Sequence, residues 1–338
     1  MNLVTGATGI LGSHVVLTLL KRGEAVLACK QQNSDTGKLK TLFAYYGKEN
    51  EALVEKIRWV DLDIRNQHEI EDALEGVHTV YHCAGFVSFN RHERKKMFDV
   101  NEAGTRNMVN ACLFKQIPAF CHVSSLATIN NSDYLLPLNE EVFWKTSGRE
   151  SAYAISKYNA EREVWRAIEE GLNAVIVNPG VILSPGFGEQ SSARLFETCY
   201  KGNVFYTTGT TGYVGAEDVA KCMVELTHAR KFGNRYIIIE NNYRFRDIFT
   251  RVQKGFHKAA PFIKANKALL NLAWVADSLL SFVRGKQATV TRAIIQSSLN
   301  QQLYANRKLL AAISFPLKPV YEVIDFICET TLLDKKGK

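Results

Sequence analysis

Asn2-Leu-Val-Thr-Gly-Ala-Thr-Gly-Ile-Leu-Gly12 is the stretch that decides the fold. Leu3 and Val4 form a short apolar run, and Gly6, Gly9 and Gly12 follow at even spacing. Ile10, Leu11, Val15, Val16, Leu19 and Leu20 then recur at helical spacing until Lys21, Arg22 and Gly23 close the helix. The pattern is strand, glycine turn, helix. Gly6 can take backbone angles closed to other residues, so the chain can turn sharply there. Gly9 has no side chain to hold a pyrophosphate away from the backbone, and Gly12 lets the helix pack close. A helix start offers free N–H groups and a partial positive charge, which suits paired phosphates. A dinucleotide is therefore expected along Gly6, Thr8, Gly9, Ile10, Leu11 and Gly12.

The 338 residues suffice for one large or two modest domains with a sizeable core. Hydrophobic residues at 46% and charged residues at 22% are ordinary for a globular protein. The first strand begins at once, so no leader segment is expected. No run is long and apolar enough to span a bilayer; Ala265–Val283 comes nearest and is broken by Lys267 and Asp277. The seven cysteines lack C-x-x-C spacing, and the histidines are scattered, which predicts a reducing, cytoplasmic setting with no disulfide framework and no metal cage. The net charge of +8 is dispersed, without the interleaved aromatic residues of a nucleic-acid platform, so no nucleic-acid partner is expected. The positive balance also suits an anionic cofactor.

Strand and helix patterns alternate through the first half. Strands are expected at Ala25–Cys29, Ile57–Val60, Val77–Cys83, Phe120–Val123 and Ala174–Val177, with helices at Glu69–Leu74, Val100–Phe114 and Tyr153–Glu170. This alternation implies a parallel sheet with helices on both faces and ligands beyond the carboxyl ends of its strands. After Pro185 the pattern becomes mixed, Tyr236–Ile239 reads as one more strand, and from Phe245 onward helix dominates. The expected division is a nucleotide-binding domain at 1–182 and 213–241 and a smaller, mostly helical substrate cap at 183–212 and 242–338.

Four further stretches carry chemistry. Tyr153-Ala-Ile-Ser-Lys157 puts a phenol and an ammonium on one helix face. A tyrosine with a pKa of about 10 is a poor acid–base group. A lysine at about 4 Å, with an effective dielectric near 20, would stabilise the phenolate by roughly 4 kcal/mol, or about three pKa units at most. Tyr153 would then approach the range useful for proton transfer. Ser124 and Ser125 follow a buried strand, where either hydroxyl could steady a substrate oxygen. Asp63, in Val60-Asp-Leu-Asp-Ile64, could accept from an adenine amino group or cap the next helix. Tyr81-His-Cys-Ala-Gly85 ends a strand in small residues, so Ala84 and Gly85 would let the backbone pass close to a ribose, while His82 is expected to pack.

Taken together, T-G-x-x-G-x-x-G, the Asp63-Ile64 pair, H-x-A-G, Val100-Asn-x-x-Gly-Thr105, Ser124-Ser125, Y-x-x-x-K and Asn178-Pro-Gly180 occur in the order and spacing of the extended short-chain dehydrogenase/reductase family. The chain resembles that family over about residues 1–240. The resemblance implies a doubly wound Rossmann α/β fold. By analogy Tyr153 is the acid–base group and Lys157 its partner, which also holds the nicotinamide ribose. Ser125 aligns with the catalytic serine, with Ser124 as the alternative, and Asn101 stands at the family asparagine that supports the lysine. Asp63 and Ile64 would flank the adenine, and Pro179, Gly180 and Val181 would border the nicotinamide. In the family the helices around Ala103–Phe114 and Tyr153–Glu170 form dimer interfaces, so a homodimer is implied.

Lys30 ends the second strand, and no carboxylate precedes Asp35. A basic residue there accommodates a ribose 2′-phosphate, whereas an acidic one binds the free hydroxyl. This favours NADP(H), with NAD(H) still open. Ser125-Leu-Ala-Thr128 lacks the extra acids of the family's dehydratases, and Val181 replaces the asparagine that contacts a sugar-nucleotide diphosphate. The region is more similar to the dihydroflavonol-reductase and 3β-hydroxysteroid-dehydrogenase branch. A neutral, partly apolar small-molecule substrate would then lie against Phe86, Ser88, Phe89, Thr128, Leu183, Phe187 and Tyr213. The expected reaction is hydride transfer at a carbonyl or secondary alcohol. The alternatives are an NAD-dependent nucleotide-sugar epimerase and a non-catalytic NADP-sensing protein.

Overall fold

The computed structural model describes residues 1–88, 90–129, 136–148, 150–186, 193–272, 274 and 292–336. Phe89 and Phe187, expected against the substrate, lie outside the described residues. The first half alternates as its apolar periodicity dictates: β1 (Asn2–Thr5), α1 (Ile10–Lys21), β2 (Val26–Lys30), α2 (Gly37–Tyr45), β3 (Arg58–Asp61), α3 (Gln67–Ala73) and β4 (Thr79–His82). Then come α4 (Arg94–Phe98), α5 (Gly104–Phe114), β5 (Ala119–Val123), α6 (Ala152–Glu169) and β6 (Ala174–Pro179). The long helix expected from Val100 starts earlier and is interrupted. Asp99–Ala103 forms a π-turn between α4 and α5, whose extra residue turns Asn101 inward, where it is buried.

Beyond β6 the elements are β7 (Val181–Leu183), α7 (Ala193–Tyr200), β8 (Phe205–Tyr206), β9 (Thr210–Gly215), α8 (Ala216–His228), β10 (Asn234–Ile238), β11 (Asn241–Arg244), α9 (Phe245–Gly255) and β12 (Ile263–Lys264). A final helix runs over Val320–Lys336. Seven parallel strands form the main sheet in the order β3-β2-β1-β4-β5-β6-β10. This is the doubly wound Rossmann arrangement. Strand order reverses between β1 and β4, which leaves a crevice outside their carboxyl ends.

Two large apolar clusters cover the two faces of this sheet. One holds Val15, Val16 and Leu19 of α1 with Val219, Met223 and Leu226 of α8. The other holds Met108 and Val109 of α5 with Val164 and Ala167 of α6. A second sheet, β11-β9-β7, carries a third cluster, in which Leu183 and Tyr213 pack with Phe196, Ile248, Val252 and Ile324. Among the described residues no helix is long and apolar enough to cross a membrane.

Candidate active site

The glycine turn joins β1 to α1 at the switch point. Gly6 has φ +64°, and a Cβ on it would lie 2.8 Å from the backbone nitrogen of Ala84, just past β4. A Cβ on Gly12 would lie 2.2 Å from the Gly6 carbonyl oxygen. The turn, the helix and the end of β4 are therefore in direct backbone contact, and any side chain at Gly6 or Gly12 would part them. Gly9 caps α1 without a side-chain hydrogen bond, and no acid stands in the first turn. The Ser13 N–H bonds to the Gly9 carbonyl (3.0 Å), so the earlier N–H groups at Ile10, Leu11 and Gly12 lie ahead of the intrahelical ladder. Together with Thr8 on the turn, these groups fit a pyrophosphate.

A buried hydrogen-bonded chain holds the rest of the crevice in place. The Ala84 N–H donates to the Thr5 hydroxyl (3.1 Å), which in turn reaches His82 Nδ1 (2.9 Å). His82 Nε2 meets the Thr105 hydroxyl (3.1 Å), and that hydroxyl donates to the Asn101 carbonyl (2.6 Å). Only one polarity satisfies every group: Thr5 donates to Nδ1, and Nε2–H donates to Thr105. Burial lowers the His82 pKa to about 3, with Lys157 pushing the same way, so the imidazole stays neutral. Asn101 then clips the next residue on both sides. Its Oδ1 accepts from the Phe86 N–H (2.7 Å), and its Nδ2 donates to the Phe86 carbonyl (2.9 Å) and to Ser156 (3.0 Å). Asn101 thus fixes the Phe86 backbone and ties it through Ser156 to the helix that carries Lys157.

Tyr153 opens α6, whose cap is the Ser151 hydroxyl accepting from the Ala154 N–H. Lys157 lies one turn on, buried, and its ammonium donates to the Val123 carbonyl at the end of β5 (2.5 Å). Burial pulls its pKa down to about 8, against the opposing charge of Glu161. The Ser125 side chain lies beside the Tyr153 hydroxyl. The expected lowering of the phenol by Lys157 is corrected here. Burial pushes the Tyr153 hydroxyl up, and Ser125 pulls it partway back. The ammonium faces a backbone carbonyl instead.

The two serines separate cleanly. Ser125 accepts from the Ala127 N–H and faces Tyr153. Ser124 is buried and donates to Glu161 Oε2 (2.5 Å). Glu161 is a residue that sequence reading missed. Its Oε2 also meets Thr128 (2.8 Å) and Asn178 Nδ2 (2.9 Å), and its Oε1 accepts from Arg235 (3.0 Å) and Trp165 (3.3 Å). An acid four residues past Lys157, on the helix stripe that carries Ala160 and Val164, was the available signal. Thr128, expected against the substrate, is bound into this network and buried.

The remaining expected positions divide by burial. Gly85 lies beside Asn101 and Lys157, where a Cβ would stand 3.5 Å from the amide oxygen and 4.0 Å from the ammonium. Pro179 ends β6, the Gly180 N–H bonds the Ile238 carbonyl, and Val181 opens β7. Phe86 lies under the Lys96 ammonium (4.6 Å to the ring centroid), and Ser88 donates to Glu93. Leu183 and Tyr213 are core residues of the third cluster, almost without exposed surface. Ile64 is also core. It fills the space that Gly104 leaves open, where a Cβ would lie 2.6 Å from Ile64 Cδ1. The Asp63 carboxylate forks onto Arg65, which holds it below the usual carboxylate range. Lys30 is in an ion pair with Asp61, its partner across β2 and β3.

Residues 2–239 match the model of the NAD dependent epimerase/dehydratase family. Sterol demethylase protein B of Methylococcus capsulatus is 36% identical over 187 residues, a match spanning 54% of this chain and 52% of that protein. Tetraketide alpha-pyrone reductase 2 of Arabidopsis thaliana is 27% identical over 70% of this chain and 76% of its own length. Among solved structures, the Bordetella bronchiseptica enzyme WbmH in complex with NAD+ is 15% identical, covers 98% of both chains and superposes with a TM-score of 0.72, a likeness of fold.

Proposed function

This chain belongs to the NAD dependent epimerase/dehydratase family of extended short-chain dehydrogenases/reductases, and from that membership we propose that it is a NADP(H)-dependent reductase or dehydrogenase acting on a carbonyl or secondary alcohol. The observation that carries this reading is Ser125 set beside Tyr153, one helix turn from a buried Lys157, next to a glycine cradle that any Cβ would fill. Gly6, Thr8, Gly9, Ile10, Leu11 and Gly12 would hold the pyrophosphate, with Ala84 and Gly85 along the ribose and Pro179, Gly180 and Val181 at the nicotinamide. Bound there, the dinucleotide supplies or accepts a hydride. The chain does the rest.

Ser125 orients the substrate oxygen, and Tyr153 Oη gives or takes that oxygen's proton. A carbonyl oxygen gaining negative charge is a stronger acceptor than either ground-state partner, so the Ser125 and Tyr153 hydroxyls hold it more tightly as reaction proceeds. Lys157, charged below about pH 8, supplies the positive field for this step. Asn101 and the His82 chain keep the Ala84–Phe86 backbone in register. The substrate is proposed to be neutral and partly apolar at its reacting end, received by Phe86 and Ser88.

The preference for NADP(H) rests on Lys30, whose side chain keeps partial exposure (22%) beside Asp61. The same ion pair favours a second reading, an NAD-dependent nucleotide-sugar epimerase, because Asp61 partly neutralises the cation. Tight NAD that co-purifies with the protein would support that reading. The test is nicotinamide absorbance across a panel of carbonyls and alcohols, with wild type and Tyr153→Phe. The proposal expects turnover that falls by about 10²–10⁴-fold in the variant. Turnover unaffected by the substitution contradicts the role of Tyr153.

A further inference from the structure

We propose that one corner of the molecule, apart from the glycine cradle and the Ser125–Tyr153–Lys157 group, docks the protein on an anionic lipid surface. Three stretches of chain build this corner. The Phe262 and Ile263 N–H groups both donate to the Val204 carbonyl (3.1 and 2.9 Å), and β12 runs beside β8 with Ile263 opposite Phe205. The Ala265 N–H donates to the Tyr206 carbonyl (2.8 Å). Gln253 Nε2 donates to the Asn203 carbonyl (2.6 Å), which fastens the end of α9 to the same turn.

The side chains it shows to solvent are of two kinds. Phe262 is 70% exposed and Phe205 44%, with Val204 exposed beside them. Lys254 and Lys258 at the end of α9, and Lys264 and Lys267 after Phe262, are exposed as well. Among the described residues none of these four lysines forms an ion pair. Residues 248–276 contain no carboxylate, and acids of neighbouring elements are engaged: Glu197 pairs with Lys201, and Asp325 with Arg251. A single exposed apolar side chain is ordinary. Adjacent phenyl rings surrounded by unpaired cations are not.

The pattern fits a bilayer better than a protein partner. Three apolar side chains fall well short of the roughly 800 Å² that each partner gives to a stable protein interface, and lysine is depleted in such interfaces. A lipid surface asks for less. Apolar side chains enter about 5–10 Å, to the boundary of headgroups and acyl chains, while lysines around them meet anionic headgroups. Each lysine close to an anionic leaflet is worth about fivefold in affinity. Water persists at headgroup level, so the unpaired edges of the two-residue strands β8 and β12 stay hydrated. No spanning helix is required, because the protein lies on the surface.

The test is co-sedimentation of the full chain with vesicles of phosphatidylcholine, alone or with about one third phosphatidylglycerol. The expected result is binding at least about tenfold tighter to the anionic vesicles, released as salt approaches about 1 M. Lys254→Gln/Lys258→Gln/Lys267→Gln should weaken it at least about tenfold, and Phe262→Ser at least about fivefold. All four positions are exposed, so the melting temperature of each variant should match wild type. No binding to anionic vesicles, or equal binding by wild type and variants, overturns the proposal. A loss in the lysine variant with Phe262→Ser unchanged overturns its apolar part. Soluble polyglutamate stands in for an acidic protein, and affinity for it that equals the affinity for anionic vesicles overturns the choice of lipid. Self-association without vesicles, abolished by Phe262→Ser, would give the surface to a second copy of the chain and overturn the proposal as well.

Discussion

Glu161→Gln is the substitution in which the site's architecture and its chemistry meet. Glu161 is nearly without exposed surface, and its ion pair with Arg235 is shielded on both sides, with side-chain exposures of 3% and 14%. A glutamine offers one oxygen and one NH₂ group. With the oxygen toward Ser124, Thr128 and Asn178, the NH₂ faces the donors of Arg235 and Trp165. Turned round, it faces Asn178 Nδ2. Either way donors confront donors and a buried guanidinium loses its countercharge. Breaking a buried pair by removing one partner costs about 3–5 kcal/mol. Arg235 keeps its bonds to the Glu140 and Val142 carbonyls, so the lower end applies. About 3 kcal/mol, at about 2 °C per kcal/mol for a chain this long, lowers the melting temperature by roughly 6 °C. The catalytic effect is separate. Glu161 raises the Lys157 pKa against burial, so its loss moves the deprotonation of the lysine, already at about 8, to lower pH. The assay pairs scanning calorimetry with the pH profile of turnover, whose alkaline limb should shift acidward. A melting temperature within about 1 °C of wild type and an unmoved limb would refute the reasoning.

Acid stability follows from three buried histidines. Burial lowers His14 to about 4, His82 to about 3 and His122 well below its ordinary value. The unfolded chain takes up their protons near pH 6.5 and the folded chain does not, so stability is intact above about 6.5 and falls as pH drops below it. At about 1.4 kcal/mol per unit each, His14 and His82 remove about 4 kcal/mol by pH 5, and His122 acts in the same direction. Urea midpoints should therefore collapse between pH 6 and 5, and a flat profile there would contradict their neutrality. Lys157 strains the fold in the opposite range. Its folded pKa of about 8 lies below the unfolded value near 10.5, so its cost is full below about pH 8 and fades as pH rises toward 10. Lys157→Met should gain about 3 kcal/mol, less about 1 for the bereft Val123 carbonyl, while abolishing turnover. No gain at pH 7, or the same gain at pH 10, speaks against this. Asp61→Asn frees Lys30 and should raise the NADPH-to-NADH affinity ratio severalfold, whereas Lys30→Ala should lower it. Ratios that stay equal would remove Lys30 from cofactor choice.

Much of the fold was legible because its signals are local. Glycine spacing and helical periodicity sit within the first two dozen residues, and most main-sheet strands hold an apolar run of their own. The small sheet was not, since Thr210–Gly215 and Asn241–Arg244 are short and largely polar, and pairing across the chain makes them strands. At the site, residue types pointed to Tyr153, Lys157 and the serine pair, but orientation depends on distant partners. Ser124 is set apart from Ser125 by a carboxylate 37 residues on, and Lys157 is turned by the Val123 carbonyl 34 residues back. Ile64 is core because Gly104, far along the chain, leaves room for it. Such contacts leave no trace in spacing.

The most direct test is a crystal structure of the chain with NADP+ bound. The account predicts a pyrophosphate on the N–H groups of Ile10 to Gly12 and the nicotinamide ring beside the Tyr153 hydroxyl, with Lys157 at the adjoining ribose. A dinucleotide bound elsewhere, or a ring turned away from Tyr153, would contradict it.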